Sequence, residues 1–137
     1  MIGFRDKSIH FEFPEPLPLK MTLSDIFKGE CNKQIGYTLR VGGKGSGLGD
    51  RRNWDSYLVN GQHHRITVDE ARELMGFPGD FVFPVSKAQA MKQLGNSVAV
   101  DAIRATASEL IKALSLHPKR TQARDEASLY ATRLITA

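Results

Sequence analysis

The stretch Gln93-Leu94-Gly95-Asn96-Ser97-Val98 carries the strongest fold signal in this chain of 137 residues. Gly95 is expected to end one apolar helix, and a second helix is expected to open directly after it. Asn96 and Ser97 would then lie on the first turn of the new helix, where unpaired N–H groups and partial positive charge favour an anionic or polar ligand group. Local chemistry leaves a second interpretation open, an ordinary helix–helix turn with Asn96 or Ser97 as its N-cap.

A segment upstream has the features of a capped helix and reads Arg65-Ile66-Thr67-Val68-Asp69-Glu70-Ala71-Arg72-Glu73-Leu74-Met75-Gly76-Phe77-Pro78. Thr67 and Glu70 have the spacing of a capping box, and Gly76 is a natural helix terminator. This upstream segment resembles the ninth signature motif of DNA cytosine-5 methyltransferases, and the Gln93–Val98 segment resembles the tenth. Arg72 stands one place off the commonest register of that family.

The resemblance covers residues 2–114 and only the C-terminal part of the family's pattern. It includes Thr38-Leu39 followed by Gly42-Gly43, similar to the target-recognition region, and Ile2-Gly3-Phe4-Arg5 followed by Phe13-Pro14-Glu15-Pro16, similar to the strand and exit after the eighth motif. It implies an α+β fold, the C-terminal piece of a Rossmann-like, S-adenosylmethionine-dependent methyltransferase fold. N-terminal strands, a loop-rich recognition region and three C-terminal helices would make up this piece.

The same resemblance divides the chain into four parts. Residues 1–28 would be the end of the catalytic-domain strands and a connector, and residues 29–64 the target-recognition region. Residues 65–117 would form the ninth- and tenth-motif helices, followed by a polar tail over residues 118–137.

Three features of the family's pattern are missing from the sequence: the cofactor-binding glycine motif, the Pro-Cys pair that supplies the nucleophile, and the Glu-Asn-Val motif that engages the target cytosine. The single cysteine, Cys31, lies between Glu30 and Asn32. No catalytic residue is therefore assigned, and the chain alone is expected to be inactive. Its expected partner is an N-terminal catalytic subunit or segment carrying the Pro-Cys motif. Met1 directly before Ile2 fits a two-chain enzyme, a truncated gene or an expressed fragment.

The resemblance places the cofactor, S-adenosylmethionine, against Asn96, Ser97 and Val98. It places double-stranded DNA against the recognition region, with Thr38 near the backbone of the flipped cytosine. If residues 37–41 form a strand, Arg40 lies on the same face as Thr38 and is a candidate base reader. Glycines allow close approach to DNA and arginines donate two hydrogen bonds to phosphate or guanine. The further DNA-binding candidates are Gly42, Gly43, Lys44, Arg51 and Arg52.

A phosphate-binding P-loop in residues 42–49 is disfavoured because Gly45, not Ser or Thr, follows Lys44. A flexible linker is the structural alternative to DNA contact there. His63 and His64, taken with Cys31 or His10, lack the paired spacing of zinc ligands, so no metal is expected.

Periodicity and turn residues predict the remaining elements. Strands are expected at residues 1–4, 9–13, 37–41 and 56–59, and a helical turn at 22–27. Asn60-Gly61 predicts a hairpin turn. Further helices are expected from Ser86, capped with Gln89, to Gly95, and over residues 97–114, with a weak one at 129–135. Side chains at helical spacing on one face of the 97–114 helix are Ile103, Ala107, Leu110, Ile111 and Leu114.

Composition sets broad limits on the function. A net charge of +4 and a pI of about 9.4 are compatible with a polyanionic partner. A lone cysteine excludes a disulfide framework and fits a reducing cytosol. No stretch approaches the length of a membrane span, so a cytoplasmic location, in a prokaryotic cytosol or nucleoid, is expected.

Three functions are thus open. The first is the C-terminal portion or second subunit of a DNA cytosine-5 methyltransferase of restriction-modification type. The second is a catalytically inert DNA-binding module derived from such an enzyme. The third is a helical interaction protein without DNA affinity.

Overall fold

The computed structural model describes residues 2–41 and 45–116. Gly42, Gly43 and Lys44, the tail over 118–137 and the weak helix expected at 129–135 lie outside these residues. The elements in chain order are α1 (Leu23–Phe27), β1 (Ser56–Val59), β2 (Gln62–Arg65), α2 (Val68–Leu74), α3 (Lys87–Asn96) and α4 (Val100–Ser115). Two compact units are distinguished: Pro16–Ile103, and the described residues 2–15 together with 104–116.

Strands β1 and β2 form an antiparallel hairpin whose turn is the predicted Asn60-Gly61 pair. Both turn residues have a positive φ, 49° and 74°, as a two-residue type I′ turn requires. The Asn60 side-chain oxygen accepts a hydrogen bond from the Glu30 N–H at 2.8 Å, and the Asn60 N–H donates to the Glu30 carbonyl at the same distance. The turn is therefore also bound to the backbone of Glu30.

Polar N-cap residues start α1, α2 and α3, as was predicted for α2 and α3. Thr22 and Thr67 are N-caps of α1 and α2, and each forms a complete capping box. Gly76 follows the end of α2 with a φ of 75°. Ser86 caps α3 by accepting from the Gln89 N–H, although the reciprocal Gln89 bond is not formed within the described part of the chain.

The helix boundary expected at Gly95 is wrong. Helix α3 continues through Gly95 and ends at Asn96, and α4 does not begin until Val100. Ser97 is the C-cap of α3, because its N–H and its hydroxyl both donate to the Leu94 carbonyl, at 3.1 and 2.7 Å. The motif therefore lies at a helix C-terminus, and neither Asn96 nor Ser97 is an N-cap.

The strands expected at residues 1–4, 9–13 and 37–41 are not formed in the described ranges. A strand needs a neighbour for its hydrogen bonds, and none of these segments pairs with another strand. In the first two segments, aromatic rings pack together instead. The ring centroids of Phe4 and Phe11 are 6.1 Å apart, and those of Phe11 and Phe13 are 5.1 Å apart. The result is an α+β architecture with one two-stranded sheet, compatible with a fragment of an S-adenosylmethionine-dependent methyltransferase fold.

A single hydrophobic core lies within the unit Pro16–Ile103 and joins α1, the hairpin, α2 and α3. Its fully buried members are Leu23, Ile26, Leu39, Trp54, Tyr57, Ile66, Ala71, Met91 and Leu94. Phe77 and Phe83 pack against this core, whereas Phe81 remains 41% exposed. Across the described ranges, no helix combines the length and apolar character that crossing a membrane would require.

The apolar face predicted for the last helix is largely uncovered. Ile103, Ile111 and Leu114 of α4 are each more than half exposed. Large apolar side chains are more often buried, so this exposure distinguishes α4 from the helices of the core.

Candidate functional site

Residues 37–41 form an extended segment whose side chains alternate between core and surface. Leu39 is buried in the core, and Thr38 and Arg40 on either side of it are exposed. Thr38 and Arg40 are thus both on the surface, as their predicted common face requires, although the segment is not a paired strand. Both candidate DNA contacts are accessible.

A buried tyrosine holds this segment in place. The Tyr37 N–H donates to the Tyr57 hydroxyl at 3.0 Å, and that hydroxyl donates to the Trp54 carbonyl at 3.4 Å. Burial raises the pKa of Tyr57, which keeps the hydroxyl protonated and able to donate. Sequence reasoning missed this residue; its position at the start of a strand directly after the Trp54-Asp55-Ser56 stretch was the available signal.

The end of α3 lies against residues 40 and 41 of the segment 37–41. The Gly95 Cα faces the backbone of Arg40 and Val41 so closely that a methyl group there would approach the Arg40 carbonyl carbon to 2.8 Å. The candidate DNA residues Thr38 and Arg40 and the candidate cofactor residues that follow Gly95 are consequently neighbours. Their separation along the chain concealed this proximity.

The three cofactor candidates differ in what they can offer. Asn96 is exposed, and its side chain forms no hydrogen bond with other described residues. Val98 exposes 58% of its surface, which makes it an open apolar contact. The Ser97 hydroxyl proton is already donated to the Leu94 carbonyl, so this oxygen can act only as an acceptor. Asn96 and Val98 are therefore the better placed of the three.

The three predicted arginines differ in their charge environment. Arg52 donates to Asp50 from Nε at 3.3 Å and from Nη2 at 3.1 Å, and these bonds lower the pKa of the Asp50 carboxyl. Within the described residues, neither Arg51 nor Arg40 forms an ion pair, and both are exposed. The guanidinium groups of Arg40 and Arg51 are thus open to an anionic partner.

A buried carboxylate secures the far end of the glycine-rich loop. Asp55, only 1% exposed, pairs with Arg65 Nε at 3.3 Å and accepts the Gly45 N–H at 3.4 Å. Its Oδ1 atom has no hydrogen-bond partner among the described residues. The neighbouring Ser56 hydroxyl donates to the Ser46 carbonyl at 3.4 Å. The loop is therefore fixed where it enters the hairpin.

The histidines considered for zinc have other contacts. His64 Nε2 lies 2.9 Å from Glu70, the residue that completes the capping box of α2, and 4.9 Å separates its ring from that of Phe27. His10 contacts Glu12 at 3.0 Å. In the described ranges, no three His, Cys, Asp or Glu side chains are grouped as metal ligands would be.

These features agree with a comparison against protein families. Residues 20–112 match the C-5 cytosine-specific DNA methylase family, and the chain belongs to that family. Its members take the methyl group from S-adenosylmethionine. The match spans residues 37–41 and the whole of α1, α2 and α3.

Individual relatives are type II methyltransferases from bacteria. The chain is 32% identical to M.SsoII of Shigella sonnei, over 83% of this chain and 39% of that protein. Against M.NlaX of Neisseria lactamica the identity is 30%, over 84% and 47%. M.HpaII of Haemophilus parainfluenzae is 50% identical over a shorter match, 36% of this chain and 14% of that protein. The chain thus spans less than half the length of these relatives and matches their C-terminal part.

Proposed function

We propose that this chain is the C-terminal portion or a second subunit of a DNA cytosine-5 methyltransferase, supplying target recognition and part of the S-adenosylmethionine pocket. The observation that carries the proposal is the contact between the Arg40–Val41 backbone and Gly95. It makes the proposed DNA-reading residues and the proposed cofactor-binding residues neighbours in one unit. The location would be a bacterial cytosol or nucleoid, where such an enzyme meets its DNA.

On the DNA side, Arg40 reads a base and Thr38 contacts the phosphate backbone. An exposed guanidinium without an ion-pair partner loses no protein contact when it binds guanine or phosphate. Arg51 supplies a further contact from the loop fixed by Asp55, and Gly42, Gly43 and Lys44 are proposed as DNA contacts from the sequence alone. Arg52 contributes less because Asp50 compensates its charge.

On the cofactor side, Asn96 binds a polar group and Val98 covers an apolar part of the cofactor. The C-terminus of a helix carries partial negative charge. The end of α3 therefore suits a cationic group of S-adenosylmethionine, its sulfonium or ammonium, better than the carboxylate that a helix N-terminus would favour. The cofactor would supply the methyl group, and residues 96–98 would bind and orient it.

The chemistry itself requires a partner segment with the Pro-Cys nucleophile, since the single Cys31 lies between Glu30 and Asn32. The exposed apolar face of α4, with Ile103 and Ile111, supports such a partner, as does coverage of only 39% to 47% of the relatives. The partner would supply the Rossmann-like sheet, because the described residues form no part of such a sheet.

The isolated chain is expected to incorporate no methyl groups into DNA. It should do so when co-expressed with a segment carrying the Pro-Cys and Glu-Asn-Val motifs, because that segment brings the nucleophile. Radiolabelled S-adenosylmethionine and duplex DNA measure this directly. Cys31→Ser is the matched control and should leave the complemented activity unchanged. Methylation by the isolated Cys31→Ser chain contradicts the proposal; DNA binding without activity under complementation favours the inert module.

Asn96→Ala and Ser97→Ala are expected to have different effects. In the assembled enzyme, Asn96→Ala should weaken cofactor binding by about 0.5–1.5 kcal/mol, because one hydrogen bond is lost. Ser97→Ala should instead lower the free energy of unfolding by a similar amount, since its hydroxyl closes α3. Calorimetry with the cofactor measures the binding free energy, and urea unfolding measures the free energy of unfolding. Asn32→Ala, also exposed, should change neither; equal cofactor affinity in Asn96→Ala would remove Asn96 from the pocket.

A further inference from the structure

Gly95 is required for space and not for backbone conformation. It lies inside α3, and it is not among the glycines with a positive φ. A Cβ built on it would lie 2.8 Å from the carbonyl carbon of Arg40, 3.0 Å from that carbonyl oxygen and 3.2 Å from the Val41 nitrogen. All three are backbone atoms, which cannot rotate away as a side chain could. Any side chain at this position must therefore push the Arg40–Val41 backbone and the end of α3 apart.

The same segment is held from its other end by the hairpin. The Tyr57 hydroxyl accepts the Tyr37 N–H at 3.0 Å, and Tyr57 itself is 1% exposed. Between the two contacts, Leu39 is buried in the core that also contains Leu94, the neighbour of Gly95. Thr38 and Arg40 therefore project from a backbone that is fixed at Tyr37, at Leu39 and at Arg40.

We propose that Gly95 and Tyr57 are positioning residues that set where Thr38 and Arg40 meet DNA, by holding the backbone of residues 37–41 between α3 and the hairpin. The inference rests on the proposed function and adds specificity determinants that do not themselves touch DNA. A bidentate arginine–guanine contact depends on geometry, so a small displacement of the Arg40 backbone costs sequence preference before it costs electrostatic affinity.

The first test compares Gly95→Ala with Gly79→Ala in the full chain. A Cβ at Gly79 meets no atom within 4 Å, so this control makes the same chemical change without the clash. Amide hydrogen exchange of peptides covering residues 37–41 should become about tenfold faster in Gly95→Ala, because the segment opens locally more often. Exchange in the hairpin should stay unchanged in both variants.

The second test measures specificity with the same proteins. Selection from a pool of randomised DNA duplexes should give an enriched sequence for the wild-type chain and for Gly79→Ala. Gly95→Ala should lose most of that enrichment while its affinity for non-specific duplex at low salt changes less than about twofold, because phosphate contacts depend mainly on charge. A purely structural defect would lower all DNA binding together.

Tyr57→Phe keeps the inference testable if Gly95→Ala does not fold. It removes only the hydroxyl that accepts the Tyr37 N–H, and Tyr37→Phe is its control, since no hydrogen bond of the Tyr37 hydroxyl is found among the described residues. Tyr57→Phe should speed exchange at residues 37–41 and reduce enrichment, and Tyr37→Phe should do neither.

The outcomes separate this inference from the function on which it rests. Unchanged exchange at residues 37–41 in both Gly95→Ala and Tyr57→Phe overturns the positioning role. Faster exchange with wild-type enrichment also overturns it, because the segment would then not control DNA reading. A wild-type chain that binds no DNA overturns the proposed recognition function and, with it, any effect of Gly95 on specificity.

Discussion

Leu94→Ala is expected to lower the free energy of unfolding by about 2–5 kcal/mol. Leu94 is 0% exposed and lies where α3 meets the core residues Leu39, Trp54 and Tyr57. Alanine is a good helix former, so the cost comes from the cavity and the lost transfer energy rather than from the helix. Because domains of this size are stable by only about 5–15 kcal/mol, the variant should be partly unfolded in mild denaturant.

Urea unfolding followed by circular dichroism measures this change. Leu114→Ala is the matched control, because it makes the same substitution in a helix at a position that is 52% exposed. It should lower the free energy of unfolding by about 0.5 kcal/mol or less. Equal urea midpoints for the Leu94 and Leu114 variants would mean that the core containing Leu39 and Leu94 does not determine the stability of the chain.

Arg40→Ala is expected to reduce discrimination between the preferred DNA sequence and its single-base variants by about 1–3 kcal/mol, roughly 5- to 150-fold. Arg40 is exposed beside Thr38, and its backbone is fixed against Gly95. A base contact carries sequence information, so its loss should weaken the preferred site far more than a random duplex. Fluorescence anisotropy with duplexes from the selection, at fixed salt, measures the ratio.

Arg51→Ala provides the comparison for a phosphate contact. It should weaken all sequences about equally and reduce the salt dependence of binding by about one charge. If Arg40→Ala behaves in this way and keeps full sequence preference, Arg40 is a phosphate contact, and base reading belongs to Arg51 or Arg52.

Features controlled by neighbouring residues were predictable from the sequence. The helical turn at residues 22–27, the capping box at Thr67 and the Asn60-Gly61 turn each depend on a few adjacent residues, and all three are confirmed. The family was also readable from the order of two motifs, because motif order does not require a folded structure. The expected apolar face of α4 is correct in spacing, but its exposure could not be known from spacing alone.

The strands expected near the N-terminus show where such prediction stops. Residues 9–13 alternate apolar and polar side chains as a strand does. A strand also needs a second strand to pair with, and that strand can lie far away in the sequence. Residues 37–41 keep the alternation, with Leu39 inward and Thr38 and Arg40 outward, but without a paired neighbour. Side-chain pattern is a local property, and hydrogen-bond pairing is not.

The sequence by itself determined the family, the starts of α1, α2 and α3, and the hairpin turn. Only the tertiary structure decided the role of Gly95. By local rules, glycine ends a helix, but here α3 continues to Asn96 and Ser97 closes it. The glycine is needed because the Arg40–Val41 backbone, more than 50 residues earlier, passes against it. Close approach between distant backbones is a property of the folded chain, and no local pattern contains it.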